Sequence, residues 1–213
     1  MILRWDKKRY FIFDFDGTIA DTSLLHAEAF NEVFRTLGIS NFQYDAYKGR
    51  KTVEVFNDFF KMNGLIFSDE ELANFVRKKQ ETARRLMKYD LKAFDGAVEF
   101  IKLLKQKNYI LAIATSSSKK GVTLALDRLG IYHTFDYILT GDDVVNAKPS
   151  PDIYLKSLNA ASILPQESVV VEDSASGAIA AGNAHIDVII VNNKSLEKSY
   201  CCTDFNSLIS ELG

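Results

Sequence analysis

Short apolar runs alternate with longer stretches of helical periodicity over most of this chain. Five runs rich in β-branched and aromatic residues are typical of buried parallel strands, and they begin at Tyr10, Tyr109, Phe135, Ser168 and Asp187. Apolar residues at helical spacing predict helices between and after these runs, over 95–107, 121–129, 151–161, 175–184 and 205–212. Because strands that alternate with helices form right-handed βαβ units, the pattern predicts an α/β fold built on a doubly wound parallel sheet.

One purely helical segment interrupts this alternation directly after the first strand. Residues 23–92 show apolar positions at helical spacing and no strand pattern. Within this segment, Ser68 followed by Glu71 matches the capping box that starts a helix. We therefore predict a Rossmann-like core of residues 1–22 and 93–213, with residues 23–92 as an inserted helical domain.

The helix that begins after Ser68 has a long basic face. Its cationic members are Arg77, Lys78, Lys79, Arg84, Arg85 and Lys88. Such a face is usually a solvated surface. The alternative interpretation is that one of these cations points into a cleft that holds an anionic substrate.

Size and charge narrow the class of protein. The 213 residues fit one domain, or one domain with a smaller insertion. A formal net charge of −2 favours neither nucleic acid nor an anionic membrane surface as a partner, and no apolar run approaches the roughly 20 residues that span a bilayer. Residues 1–13 lack a signal-peptide pattern, and the adjacent Cys201 and Cys202 suit a reducing compartment. We expect a cytoplasmic protein.

Polar side chains mark the ends of the predicted strands. Asp14 and Asp16 end the first strand, residues 115–118 (Thr-Ser-Ser-Ser) follow the second, and Glu172 with Asp173 ends a later one. The carboxyl ends of parallel strands lie on one edge of a sheet. At such an edge, two acidic pairs can hold a Mg²⁺ ion, and hydroxyl and N–H groups can hold a phosphate.

Each of these features also has an ordinary structural explanation. An Asp-Gly turn is common at a strand end, and a serine run often caps a helix. Lys148 alone could be a surface lysine, and Asp142-Asp143 is expected to be a loop feature. Lys148 could instead neutralise a bound phosphate, and the combination of features in this order is more specific than any of its parts.

The same residues, in the same order, resemble the four motifs of the haloacid dehalogenase (HAD) superfamily. The first motif corresponds to residues 14–18 (Asp-Phe-Asp-Gly-Thr), the third to residues 148–154 and the fourth to residues 172–174. The second corresponds to Ser116 or to its neighbour Thr115, and the sequence leaves both open. The inserted segment resembles the C1-type, four-helix cap of the β-phosphoglucomutase and sugar-phosphatase group.

This resemblance implies catalysis through a covalent aspartyl phosphate. Asp14 would be the nucleophile, and Asp16 would act first as general acid and then as general base. A Mg²⁺ cofactor would be held by four acidic residues, namely Asp14, Asp16 through its backbone carbonyl, Asp173, and Glu172 directly or through water.

The resemblance also implies how the substrate is held. Ser116, the N–H group of Ser117 and Lys148 would bind the phosphate oxygens. The cap would close over the site and exclude water. The expected partner is a small phosphorylated metabolite, with no nucleic acid, no membrane and no obligate protein partner.

Three cap residues are implied to lie near the substrate, namely His26, Arg50 and Lys78. His26 and Lys78 correspond to a histidine and a lysine of the β-phosphoglucomutases, although related phosphatases also carry the histidine. The mutases tend to place an arginine three residues after the glycine that corresponds to Gly49. Here Thr52 occupies that position and Arg50 follows the glycine directly, which is closer to the phosphatase pattern.

We therefore predict a Mg²⁺-dependent phosphatase that acts on a sugar phosphate. The alternative is a β-phosphoglucomutase that interconverts β-glucose 1-phosphate and glucose 6-phosphate. A non-catalytic interaction protein is disfavoured, because a binding module gains nothing from two carboxylates forced together.

Overall fold

Six parallel strands form the central sheet of this protein. The computed structural model describes residues 5–212 apart from 41, 48, 198 and 200, and it describes residues 201 and 202 without their side chains. The strands are β1 (Tyr10–Phe13), β2 (Ile110–Ala114), β3 (Tyr137–Leu139), β4 (Ser168–Glu172), β5 (Asp187–Val191) and β6 (Cys201–Thr203). The expectation about the two cysteine side chains lies outside the described part of the chain.

The sheet has β1 near its middle and grows outwards in both directions. Its order is β3-β2-β1-β4-β5-β6, which is the doubly wound arrangement predicted from the alternation of strands and helices. β6 was not predicted, because three residues are too few to show a periodic pattern. Phe13 pairs with Ile113 of β2 and Val171 of β4, so the polar residues that follow these three strands lie at the same level.

Helices cover both faces of the sheet. They are α4 (Ala97–Gln106), α5 (Lys119–Arg128), α6 (Asp152–Ala161), α7 (Ala175–Asn183) and α8 (Phe205–Leu212). Because side chains alternate along a strand, Phe11 and Phe13 pack with α4, α5 and α8, whereas Tyr10 and Ile12 pack with α6 and α7. All four side chains are fully buried, so β1 is fixed from both sides immediately before Asp14.

Residues 23–92, which we term the cap, form a helical unit with its own apolar cluster. The elements are α1 (Ser23–Arg35), a 3-10 helix (Tyr44–Tyr47), α2 (Thr52–Met62) and α3 (Asp69–Asp90). Within the described residues, the expected four-helix cap therefore consists of three α-helices and one short 3-10 helix. Phenylalanines dominate the cluster, namely Phe30, Phe34, Phe42, Phe56, Phe59, Phe60 and Phe75.

The capping box predicted from Ser68 and Glu71 is present at the start of α3. The backbone N–H of Ser68 donates to the Glu71 carboxylate at 2.8 Å, and the N–H of Glu71 donates to the Ser68 hydroxyl at 3.3 Å. These bonds satisfy donors that the first turn of a helix cannot pair internally.

The chain leaves the sheet domain and returns to it at one place. Ala20 forms an antiparallel bridge with Ala93, and the N–H of Asp21 donates to the carbonyl of Lys92 at 3.1 Å. Domain boundaries after residue 22 and before residue 93 fit this crossing and stay a prediction. In the described part of the chain, no helix has the length and apolar character needed to cross a membrane.

Candidate active site

The turn after β1 separates the two aspartates predicted from the first motif. Asp14 continues the sheet by one residue, since its N–H donates to the carbonyl of Val171 at 3.0 Å. The chain then turns at Gly17, where φ is +87°. A Cβ at this position would collide with the carboxylate of Asp173, so both the backbone angle and the available space require glycine.

Lys148 is a buried cation between two carboxylates, and not the surface lysine of the ordinary explanation. Its Nζ donates to Asp14 Oδ1 and to Glu172 Oε1, both at 2.7 Å, and to the Ala114 carbonyl at 3.0 Å. Burial disfavours the charged form, but the charges of Asp14 and Glu172 outweigh it and raise the pKa of Lys148. The site therefore keeps a permanent positive charge beside Asp14.

Three carboxylates converge at the ends of β1 and β4. Asp14, Glu172 and Asp173 each offer an oxygen, and these oxygens lie within 4.8 Å of one another. Burial, together with the charge of Glu172, raises the pKa of Asp173 to about 7, and burial raises the pKa of Asp14 as well. The cluster thus carries more negative charge than Lys148 compensates, which is an environment that suits a hard divalent cation.

Glu172 differs from its neighbours because its oxygens are occupied by donors. Oε2 accepts from the N–H groups of Asp173 and Ser174 and from the Ser174 hydroxyl, each at 2.9 Å. Oε1 accepts from Lys148 and, at 3.3 Å, from the Tyr154 hydroxyl. Although Glu172 is buried, these donors lower its pKa, so it is held as a carboxylate that organises the fourth motif.

Asp16 turns away from the acidic cluster and towards the cap. Its Oδ1 accepts from the Thr22 hydroxyl at 2.7 Å and from His26 Nε2 at 2.8 Å. Its Oδ2 accepts from the Ser117 hydroxyl. Burial opposes ionisation, but His26 and the hydroxyl donors outweigh it and lower the pKa of Asp16. The two aspartates therefore lie in chemically distinct surroundings.

A buried lysine of α3 supports His26 from the other side. Lys79 Nζ lies 2.9 Å from His26 Nδ1, and its ammonium group can only donate, so the Nε2–H of His26 donates to Asp16. Burial, and next the charge of Lys79, lowers the pKa of His26. Burial also lowers the pKa of Lys79 to about 8.

Lys79 takes the place that the sequence prediction gave to Lys78. Lys78 is exposed, whereas Lys79 is 4% exposed and lines the cavity. Successive helical residues point about 100° apart, so one position decides between solvent and cleft. The sequence held a usable signal, because Lys79 falls four residues after Phe75 and four before Ala83, within the buried stripe of α3.

The first three of the four hydroxyls that follow β2 have different partners. The Ser116 hydroxyl donates to the cap carbonyl of Gly49 at 2.8 Å, while the Ser117 hydroxyl donates to Asp16. Thr115 is buried, and its hydroxyl oxygen accepts from the N–H of Ser117 at 3.1 Å. Ser116 is thus the hydroxyl nearest the cap loop, and Thr115 shapes the turn beneath it.

The remaining predicted residues lie at the edge of the site. Arg50 lines the cavity, but its Nη1 binds Asp58 at 2.6 Å, so its charge is committed to α2. Asp142 and Asp143 lie in the loop expected for them. Asp142 accepts from the N–H of Lys119 at 2.9 Å, and Asp143 accepts from Thr140.

The site opens into a cavity between the sheet edge and the cap, which we term the cap cavity. The core contributes Asp14, Asp16 and residues 115–118, and the cap contributes His26 and Lys79 among others. Asp14, Asp16, His26 and Lys79 therefore face one cavity, and Asp14 connects it to Lys148 and to the acidic cluster.

The fold and this site together define an α/β protein with a cluster of carboxylates at the ends of its central parallel strands. Residues 11–191 match the family described as haloacid dehalogenase-like hydrolase. The chain belongs to this family, and within it the protein is a HAD-type phosphatase.

Individual relatives agree with this assignment. A phosphorylated carbohydrates phosphatase of Thermotoga maritima is 33% identical over 178 residues, which cover 84% of this chain and 82% of that protein. The fructose-1-phosphate phosphatase YqaB of Escherichia coli is 31% identical over 185 residues, covering 84% and 94%. The crystal structure of a β-phosphoglucomutase from Clostridium difficile superposes with a TM-score of 0.85 at 26% identity and covers 96% of both chains.

Proposed function

We propose that this protein removes phosphate from a small phosphorylated carbohydrate through an aspartyl phosphate on Asp14. The observation that carries the proposal is the position of Asp14. Its carboxylate binds Lys148 at 2.7 Å, lies in the acidic cluster with Asp173, and lines the cap cavity. Relatives named for phosphorylated carbohydrates and for fructose 1-phosphate support a carbohydrate substrate.

In the first step, the Asp14 carboxylate attacks phosphorus and the bond to the alcohol oxygen breaks. Asp16 donates a proton to that oxygen. The donors around Asp16 lower its pKa, but a phosphate dianion brought nearby raises it again, which favours the protonated acid. Lys148, the Ser116 hydroxyl and the N–H of Ser117 hold the phosphate oxygens.

In the second step, Asp16 accepts a proton from water as the water oxygen attacks phosphorus. The bond to Asp14 breaks and inorganic phosphate leaves. Thr22 and His26 hold the Asp16 carboxylate towards the cavity, and Lys79 fixes the tautomer of His26. These contacts keep the proton-transfer group in place for both steps.

The acidic cluster fits a magnesium ion. The crowding that raises the pKa of Asp173 to about 7 would be relieved by a cation. Asp14, Asp173 and the backbone carbonyl of Asp16 would hold it, with Glu172 acting through water because its own oxygens are occupied. When bound, Mg²⁺ would neutralise charge on the nucleophile and on the phosphate.

A phosphoglucomutase activity is the second candidate. The contact between Lys79 and His26 favours it, because the resemblance implies that the mutases carry a histidine and a cap lysine near these positions. Thr52 in place of the mutase arginine, and the binding of Arg50 to Asp58, favour the phosphatase. Incubation with β-glucose 1-phosphate separates the two, since a phosphatase releases phosphate and a mutase forms glucose 6-phosphate.

The nucleophile is tested with Asp14→Asn and p-nitrophenyl phosphate in the presence of Mg²⁺. Turnover should fall by a factor on the order of 10³ or more, because the amide cannot form the covalent intermediate. Asp21→Asn is the matched control, since Asp21 is exposed and lies outside the acidic cluster. Retained turnover in Asp14→Asn would contradict the mechanism.

A further inference from the structure

Arg84 is an uncommitted cation in the cap cavity. It is half-buried on α3 and lines the cavity, and among the described residues it makes no hydrogen bond or ion pair. Two other arginines of α3 are paired, since Arg85 binds Glu32 at 2.5 Å and Arg77 binds Glu81 at 3.3 Å. The exposed Arg77 and Arg85 therefore have acidic partners, whereas Arg84, which lines the cavity, has none among the described residues.

The helical phase directs Arg84 towards the sheet domain. Thr82 and Arg85 both contact Glu32 on α1. At about 100° per residue, Gln80 and Arg84 lie on the other side of the helix, where α3 packs against α5. Both residues line the cavity together with Ser118 and Gly121 at the start of α5, so this side of α3 faces that part of the cavity.

The acidic groups that line the cavity have other partners, and Arg84 has no counterion among the described residues. Asp14 accepts from Lys148, and Asp16 accepts from His26. Arg50, which also lines the cavity, is held by Asp58. Arg84 therefore presents a positive charge that an incoming group can meet, and guanidinium binds phosphate and carboxylate groups through two parallel hydrogen bonds.

We propose that Arg84 is a specificity-determining residue that binds a second anionic group of the substrate, remote from the phosphate that is removed. The group is a phosphate or a carboxylate, which share this mode of binding. Gln80, one turn earlier on the same face and also without a partner among the described residues, adds an amide donor. The inference rests on the proposed phosphatase function and narrows its substrates to doubly anionic metabolites.

The test compares three substrates: a hexose monophosphate, the bisphosphate of the same hexose, and a phosphorylated hexonic acid. For Arg84→Gln we expect kcat/KM to fall about 10- to 100-fold on the bisphosphate, on the phosphorylated acid, or on both, mainly through KM. The monophosphate should change less than about twofold. Arg84→Lys should recover part of the loss, because it keeps the charge but not the planar fork. The doubly charged substrate whose kcat/KM falls shows whether the bound group is a phosphate or a carboxylate.

Arg85→Gln is the matched control, because it removes the same charge one residue away and outside the cavity. It should leave all three substrates unchanged. An equal loss on all three substrates in Arg84→Gln, or no loss on either doubly charged one, would overturn the inference while leaving the phosphatase in place. A wild-type protein that hydrolyses neither these substrates nor p-nitrophenyl phosphate would overturn the proposed function itself.

Discussion

At Asp173, burial and a neighbouring negative charge both oppose ionisation of the carboxyl group. Its carboxylate accepts from the Thr18 hydroxyl at 3.0 Å and lies beside Glu172 with no cation of its own in direct contact among the described residues. Burial and the charge of Glu172 raise its pKa to about 7. A metal ligand must be deprotonated to bind, so protons and Mg²⁺ compete for this group near neutral pH.

We predict that Mg²⁺ affinity rises with pH up to about 7 and levels off above it. Below that value Asp173 is protonated in the free protein, and the dissociation constant should fall by up to about tenfold per pH unit as the proton is lost. Isothermal titration calorimetry from pH 5 to 8 measures it. Asp173→Asn should bind weakly with a much shallower slope, and a flat wild-type profile would contradict the idea.

Single residues also show how far the sequence predicts the site. The order of strand ends predicted Asp14, Asp16 and Asp173 at one edge, and the motif order added Lys148 as a cation for the phosphate. The structure brings Lys148 to Asp14 and Asp14 to Asp173. The sequence does not predict the direction in which a hydroxyl group points. Ser116 and Ser117 are adjacent and identical in type, yet one donates to Gly49 and the other to Asp16, because a rotation about one bond depends on the tertiary surroundings.

At the scale of secondary structure elements, the phase of α3 decides which of its cations line the cap cavity. Lys79 bonds to His26 while Lys78 is exposed. We predict that Lys79→Met lowers kcat/KM on the order of 10- to 100-fold, because His26 loses the donor that fixes its tautomer and with it the orientation of Asp16. Lys78→Met is the matched control and should be neutral. Comparable losses in both variants would contradict this.

We predict that the same lysine sets an alkaline limit on wild-type activity. Burial lowers the pKa of Lys79 to about 8, so the cation is present below that pH and is lost above it. The kcat/KM profile should fall above about pH 8, and Lys79→Met should lack this limb. Sequence periodicity predicted α3, and the four-residue spacing of Phe75, Lys79 and Ala83 would also have given its phase.

On the scale of the whole molecule, the cap is held against the sheet domain through a few polar contacts. Lys51, which precedes α2, donates to the carbonyls of Val144 and Val145 in the loop before Lys148. The Ser116 hydroxyl reaches the Gly49 carbonyl from the opposite side. The sequence predicted both domains from their periodicities, but contacts between distant segments leave no pattern in either one.

We predict that Lys51→Met weakens closure of the cap without unfolding the protein. Losing a charged donor to two carbonyls should shift the population towards the open arrangement and raise KM about three- to tenfold. Lys61→Met, an exposed lysine at the far end of α2, is the control. Steady-state kinetics measures the change, and thermal unfolding checks the fold. An unchanged KM would show that these bonds do not hold the cap.

The bridge between Ala20 and Ala93 makes the length of the inserted segment easy to change. The chain leaves the sheet domain and re-enters it at neighbouring residues. The two ends of any inserted segment therefore lie only one strand spacing apart. A longer or shorter insertion costs little extra closure entropy. The part that faces the substrate is therefore free to be exchanged as a module, while the part that performs the chemistry stays the same.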